Sequence, residues 1–310
     1  MRIRIGTRKS QLALWQANFI AEKLRERGFD VEIIKITTQG DKILDVPLAK
    51  IGGKGLFVKE IEEAMLRGEI DIAVHSLKDV PTKLPEGLDI VAIPEREDPS
   101  DAFISVKYDS IWSLPQGGKI GTSSLRRKSQ ILSLRPDSEI QDLRGNVDTR
   151  IRKLEEGLFD GIVLAYAGLK RLGLDYKVKE KLPPDRMIPA VCQGFLGIEA
   201  RVDNKELLDA ISFLNHEESF VRASAERAFL STLEGGCQVP LGAFCEIEGD
   251  KIRIVGYISD LQGKRLIKEY VEEELSGNCV KQGVEMGVRL ANTLLDMGGR
   301  EILEELLSCG

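Results

Sequence analysis

At 310 residues the chain is longer than one small domain, and 42% hydrophobic with 30% charged residues is the balance of a globular protein. No apolar run approaches the ~20 residues of a membrane span, and a net charge of −6 without a basic block argues against nucleic acid. Five cysteines, odd in number and without a C-x-x-C, and only two histidines argue against a disulfide framework and a zinc site.

The first residues, Met1 to Thr7, alternate like a strand and lack the apolar core of a signal peptide, so a cytoplasmic address is expected. Strand-like and helix-like segments then alternate for about 200 residues, the pattern of α/β units around a sheet. The pattern predicts a strand at Ile3–Ile5, a helix carrying Leu12, Trp15, Phe19 and Leu24, and a strand at Val31–Ile36. A glycine-rich loop at Ile51–Gly55 precedes a helix near Val58–Arg67, and strands follow at Ile70–Val74 and Asp89–Ile93. The Pro94–Pro99 stretch reads as a crossover. A fresh series follows with strands at Lys119–Gly121, Glu139–Asp142 and Gly161–Ala165 and helices at Ser124–Leu134 and Val147–Glu155. Beyond Glu217 come a long helix and alternating strands at Ala243–Glu248, Lys251–Ser259 and Lys264–Glu273, then terminal helices, which reads as a small α+β domain. Ile5-Gly6-Thr7 before Arg8-Lys9-Ser10-Gln11 is echoed by Ile120-Gly121-Thr122 before Arg127-Lys128-Ser129-Gln130, a duplication or a chance likeness of two strand–helix turns.

Five stretches bear on chemistry. In Leu233-Glu234-Gly235-Gly236-Cys237-Gln238-Val239-Pro240-Leu241-Gly242 a thiol follows two glycines and precedes a proline. That composition suits an open bend with an attachment point or nucleophile, and equally a half-buried Cys after a helix end. Gly121 to Arg127 and Asp142 to Arg150 each combine helix-capping hydroxyls or amides with arginines, which bind carboxylates through a fork. Either alone is commonly a capped helix with a solvated face. Arg8, Arg126, Arg127, Arg144 and Arg150, all at turns expected at one end of their sheets, favour a shared cleft for a small polyanion. Around Lys54 the spacing fails the phosphate-loop pattern, because Leu48 and Gly55 stand where Gly and Ser/Thr belong, so a mobile cation-bearing loop is expected. His75-Ser76-Leu77-Lys78-Asp79-Val80-Pro81 sets a carboxylate beside a lysine at a strand end, either a surface ion pair or an acid/base group in a cleft. His75 itself is expected to be structural.

Together these stretches resemble the porphobilinogen deaminase (hydroxymethylbilane synthase) family over nearly the whole chain. The matching segments are Gly6–Leu14, Gly52–Phe57, His75–Pro81, Glu95–Pro99, Gly121–Arg127, Leu143–Asn146 and Leu233–Pro240. The resemblance implies an α/β fold of two domains like type II periplasmic binding proteins plus a small C-terminal α+β domain. Its expected boundaries are 1–94 with 195–215, then 95–194, then 216–310. It implies a transferase that joins four porphobilinogen molecules head to tail on a dipyrromethane primer tied by a thioether to Cys237. Asp79 matches the family's catalytic aspartate. By the same carry-over Lys78, Ser124, Arg126 and Arg127 hold the primer, while Arg8, Ser10, Arg144, Arg150 and Gln193 hold substrate or the growing chain. A monomer acting on a small molecule, without metal, nucleic acid or membrane, is expected. One departure stands out: Cys192 replaces a glycine and Phe195 a small residue, which bears on the aim of Gln193; Cys192 is expected to pack.

Two other functions fit parts of the pattern. A solute-binding protein explains the arginines but gives the Cys237 loop no task. A thiol hydrolase needs His75 or His216 as a base near Cys237.

Overall fold

The computed structural model describes residues 1–42, 58–233 and 239–308. It forms two compact units: one from the described parts of Met1–Val46 and Gly53–Glu97 with Gly194–Phe220, the other from Asp98–Gln193 with the described parts of Val221–Gly310.

The first unit is built on β1 (Arg2–Thr7), β2 (Asp30–Lys35), β3 (Ile72–Ser76), β4 (Leu88–Ala92) and the later β10 (Leu196–Arg201), in the order β2-β1-β3-β10-β4. β2, β1 and β3 are parallel, and β10 runs antiparallel to both β3 and β4. Helix α1 (Gln11–Glu26) is N-capped by Ser10, whose hydroxyl accepts from the Ala13 N–H at 3.3 Å. Its buried stripe is Gln16, Ala17, Ile20, Ala21 and Leu24. The expected stripe shared only Leu24, because the small Ala17 and Ala21 let the helix seat closely on Ile3 and Ile5. Trp15 and Phe19 instead stack on one another at its flank, centroids 5.3 Å apart. The short α2 (Gln39–Lys42) and then α3 (Lys59–Leu66) follow; Ile61, Ala64 and Met65 of α3 pack on Ile70 and Ala73.

The second unit repeats the arrangement with β5 (Asp101–Ile104), β6 (Lys119–Gly121), β7 (Glu139–Gln141), β8 (Gly161–Ala165) and β9 (Val178–Leu182), ordered β7-β6-β8-β5-β9. Three parallel strands are again followed by an antiparallel one, β5, which pairs with β8 and β9. In each sheet that antiparallel strand comes directly after a crossing of the chain, β5 after Glu97–Asp98 and β10 after Gln193–Gly194. The two echoed turns of the sequence therefore leave equivalent strands, β1 and β6. Helices α4 (Leu125–Leu134) and α5 (Val147–Glu155) follow β6 and β7, and α6 (Tyr166–Arg171) follows β8.

After α7 (Lys205–Ile211) and α8 (Glu217–Thr232), a three-stranded antiparallel sheet forms from β11 (Leu241–Glu248), β12 (Lys251–Ser259) and β13 (Leu266–Glu274). Helix α9 (Cys279–Leu294) buries Met286, Leu290, Ala291 and Leu294, and α10 (Arg300–Ser308) ends the described chain. At Gly287 of α9 a Cβ would collide with the Ala225 carbonyl of α8, so the two helices touch backbone to backbone.

Backbone strain concentrates where the chain leaves the second unit. Cys192, at φ 62, is the one described non-glycine residue with a left-handed φ. It is buried, and its N–H donates to Glu226 Oε2 of α8 at 2.6 Å. The other oxygen of that buried carboxylate accepts the Cys245 N–H of β11 at 2.8 Å. Two residues on, Gly194 has φ 94, and a side chain there would strike the Glu97 carbonyl oxygen. Phe195 is fully buried with the Arg96 guanidinium 4.1 Å from its ring centroid.

Candidate active site

In the first unit the parallel pairing of β1 and β3, Gly6 opposite Ala73, sends both following turns out at one edge of the sheet. Arg8 and Ser10 stand on the β1–α1 turn. Lys78 and Asp79 stand on a single 3-10 turn, Leu77–Asp79, that closes β3. This turn is fastened on several sides. Leu77 is buried and its N–H donates to the Phe195 carbonyl at 3.0 Å, the Val80 N–H donates to the Leu77 carbonyl at 3.2 Å, and the Gln16 amide of α1 donates to Ser76 Oγ at 2.7 Å. With Leu77 and Val80 turned inward, Lys78 is half-buried and Asp79 is exposed at the edge. The sheet thus brings Arg8, Ser10, Lys78 and Asp79 to one edge: three groups able to hold an anion and one carboxylate.

His75 points elsewhere. It is buried, with Nε2 2.8 Å from Glu199 Oε2 of β10. His216 caps α8, its Nδ1 accepting the Ser219 N–H at 3.2 Å and lying 2.9 Å from Ser219 Oγ. Both histidines therefore have structural duties.

The second unit presents the equivalent edge. Ser124 caps α4, accepting the Arg127 N–H at 3.4 Å, and the Ser123 hydroxyl bridges to the next turn through the Leu143 N–H and carbonyl, each at 3.0 Å. In that turn Arg150 Nε donates to the Gly145 carbonyl at 2.8 Å and Lys153 Nζ to the Arg144 carbonyl at 3.2 Å. Arg144 and Arg150 are both half-buried.

Arg126 and Arg127 are held far more tightly than capping arginines. Both are buried against Asp101, the first residue of β5, which is wholly buried. Arg126 Nη1 lies 2.7 Å from Oδ2, and Arg127 donates to Oδ1 through Nε at 3.0 Å and Nη2 at 2.8 Å. The Ile188 carbonyl also accepts from Arg126 Nη1, at 2.8 Å, and the Val163 carbonyl from Arg127 Nη1, at 3.1 Å. Gln193 is fully buried behind them, its amide donating to the Pro99 carbonyl at 2.7 Å and Asp101 Oδ1 at 3.0 Å. Tyr257 of β12 closes the cluster by donating to the Arg126 carbonyl at 2.9 Å; its hydroxyl pKa is pushed up by burial. Burial by itself would raise the Asp101 carboxyl, but the charges of Arg126 and Arg127 outweigh it and hold the group far below the usual carboxylate range. Two guanidiniums against one carboxylate leave a net positive charge, and Arg126 Nε is buried with no hydrogen-bond partner among the described residues. That surplus, with the hydroxyls and first-turn amides of α4, suits a bound carboxylate group.

Asp101, Glu199 and Glu226 escaped the sequence reading. The one available signal was an acidic residue heading or interrupting an apolar run, as in Asp101-Ala102-Phe103-Ile104, since a buried charge needs a partner. Cys237 and the Gly52–Phe57 loop lie outside the described residues.

Residues 3–209 match the family described as porphobilinogen deaminase, dipyromethane cofactor binding domain, and residues 220–296 match its C-terminal domain. The porphobilinogen deaminase of Geobacter sulfurreducens is 55% identical over 307 residues, covering 98% of this chain and 95% of that protein. Its counterpart from Geotalea uraniireducens is 56% identical over 308 residues, covering 98% and 94%. A solved structure of the methionine-binding protein MetQ superposes with a TM-score of 0.44 at 14% identity, covering 71% of this chain and 92% of that one. With both family regions present in order and more than half of all positions shared with such relatives, the chain belongs to the porphobilinogen deaminase family.

Proposed function

We propose that the chain deaminates porphobilinogen and joins four units head to tail into the linear tetrapyrrole hydroxymethylbilane, with Asp79 as the catalytic carboxylate. The observation that carries this reading is an exposed carboxylate on a fastened turn, next to Lys78 in sequence and at the same sheet edge as Arg8. Each substrate brings an acetate and a propionate, so arginine-rich turns meet a charge that grows by two with every unit added. The C–N bond of the aminomethyl group breaks, ammonia leaves with the electron pair and a proton, and a cationic methylene pyrrolenine remains. A free pyrrole α-carbon then forms the new C–C bond and loses its proton. Asp79 accepts the pyrrole N–H, stabilises the cation and carries protons; such placement contributes roughly 10²–10⁴-fold.

The family's dipyrromethane, joined through a thioether to Cys237, supplies the pyrrole end from which the product grows. Lys78, Ser124, Arg126 and Arg127 are proposed to hold its carboxylates, and the surplus charge around Asp101 supports the last two. Arg8, Ser10, Arg144 and Arg150 are proposed to hold substrate. Gln193, the remaining residue of the substrate set, is fully buried, and its contribution is to hold Asp101 in place behind Arg126 and Arg127. The proposal treats 1–94 with 195–215, 95–194 and 216–310 as three working domains. It also takes the chain to act as a cytoplasmic monomer on a small molecule, without nucleic acid or membrane; no described helix is long and apolar enough to cross a membrane.

The test is Asp79→Ala in single-turnover assays. The expected outcome is a protein that keeps its primer and loses elongation by at least 10²-fold. Normal turnover would remove Asp79 from the mechanism.

A further inference from the structure

On the face of the first sheet beneath α3, Arg201 of β10 donates to the Met65 carbonyl of α3 at 3.3 Å, and beside it lies a buried acid–base pair. Antiparallel pairing sets Gly197 opposite His75 and Glu199 opposite Ala73, so His75 and Glu199 project from the same face two positions apart along β10. Their side chains are almost wholly buried, with Nε2 2.8 Å from Oε2, and the second oxygen of Glu199, Oε1, is buried with no hydrogen-bond partner among the described residues. Over them lies α3, docked through Ile61, Ala64 and Met65 on Ile70 and Ala73, and it brings a third ionisable group, the buried Glu62. Burial, then the charge of Glu199, pushes the Glu62 carboxyl up to about 7; His75 opposes the rise and the neighbouring Glu63 of α3 adds slightly to it. Two buried glutamates thus face one histidine.

The position of this cluster matters more than its charge alone. β3 continues from His75 through Ser76 directly into the Leu77–Asp79 turn. Gly197, opposite His75, lies so close to Leu77 that an added Cβ would come within 2.8 Å of its Cδ1. Any shift of β10 against β3 is therefore passed to Leu77, and from there to Lys78 and Asp79.

We propose that His75, Glu199 and Glu62 are positioning residues for Asp79: the buried pair of His75 and Glu199, with Glu62 over it, fixes the register of β10 on β3, and through Leu77 the place of the Lys78–Asp79 turn. None of them touches substrate. This role rests on the reading of Asp79 as the catalytic carboxylate. Near neutral pH the Glu62 carboxyl gains its charge beside the buried pair, and the turn responds.

The test uses the primer-bearing enzyme. The backbone amides of Leu77, Lys78 and Asp79 are followed by NMR between pH 5.5 and 8.5, with kcat and KM measured over the same range. The expected result is a common midpoint near 7 in these amides and in kcat, with KM unchanged. Glu62→Gln abolishes that midpoint in both, and Glu199→Gln moves it to lower pH because the like charge is gone. A merely structural role would lower the folded fraction without moving any midpoint. Amides that do not titrate, or a kcat profile identical in wild type and Glu62→Gln, overturn the proposal. If neither variant folds, the wild-type amide titration decides alone. Undiminished turnover by Asp79→Ala would instead overturn the Asp79 reading, with the amide titration intact.

Discussion

Asp101→Asn probes the arginine pair at its root. The substitution keeps the shape of the side chain and one carbonyl oxygen for Gln193 and Arg127, but it removes the charge that balances Arg126 and Arg127. Arg126 and Arg127 are only 5% and 7% exposed, which leaves little solvent to take the place of the lost charge. Breaking a buried pair by deleting one partner costs about 3–5 kcal/mol, because the remaining charge is left buried without compensation. Here two cations face each other after the change, although the carbonyls of Ile188 and Val163 still accept from them, so about 3 kcal/mol is expected. The assay is urea unfolding in a Trp15→Phe background, where Trp112 of the second unit is the sole tryptophan reporter. With a slope of about 1–3 kcal/mol per molar urea, the midpoint falls by roughly 1–3 M. The pH dependence follows from the same charge. The Asp101 carboxyl in the folded state lies below its unfolded value of about 4, so its contribution is complete above that pH and is lost as pH falls beneath it. The Asn variant lacks this loss. A destabilisation under about 1 kcal/mol at pH 7, with the acid limb unchanged, would refute the claim that Asp101 is what makes two buried arginines tolerable.

Two further outcomes are open to the same measurement. Cys192 holds a left-handed φ that costs most L-residues about 1–2 kcal/mol, so Cys192→Gly relieves strain while losing a buried sulfur and stays within about 1 kcal/mol of wild type. Cys192→Val, β-branched at the same angle, loses about 2–3 kcal/mol; equal stability of the two variants would contradict the strain assigned there. Glu62 has a folded-state pKa raised to about 7, so its contribution is fully present below about pH 4.5 and is lost as pH rises through 7. Partial solvent screening limits that loss to about 1–2 kcal/mol, read in a Trp112→Phe background, where Trp15 reports on the first unit, as a falling urea midpoint between pH 5 and 8 that Glu62→Gln flattens.

The parallel strands and the helices after them were legible in the sequence, because β1, β3, β6 and β8 are apolar runs or clean alternations bounded by turn residues. β4 and the antiparallel strands β11, β12 and β13 were legible too, but β5, β9 and β10 were not. β5 is only four residues long and begins with an aspartate; β10 carries the buried Glu199; β9, Val178-Lys179-Glu180-Lys181-Leu182, alternates charge like a solvated loop because it is an edge strand. The same gap hid the interior of the site. The turns bearing Arg8, Ser124, Arg126 and Arg144 announce anion binding through local residue types. The grip on Arg126 and Arg127 depends on Asp101, 25 and 26 positions earlier, arriving beside β8 through an unforeseen strand. His75 was read correctly as structural, but its partner Glu199 lies 124 residues away and only strand pairing brings it near. The stacking of Trp15 on Phe19 likewise shows that helical periodicity locates an apolar face without saying which part of it the sheet takes.

The account turns on one covalent bond, and intact mass of the purified protein tests it most directly. The mass is expected to exceed that of the polypeptide by two porphobilinogen units less two ammonias. Cys237→Ser should abolish the increment, Asp79→Ala should preserve it, and adding substrate to wild type should produce a ladder of single-unit increases. A wild-type mass equal to the bare chain that stays unchanged after incubation with porphobilinogen would contradict the account.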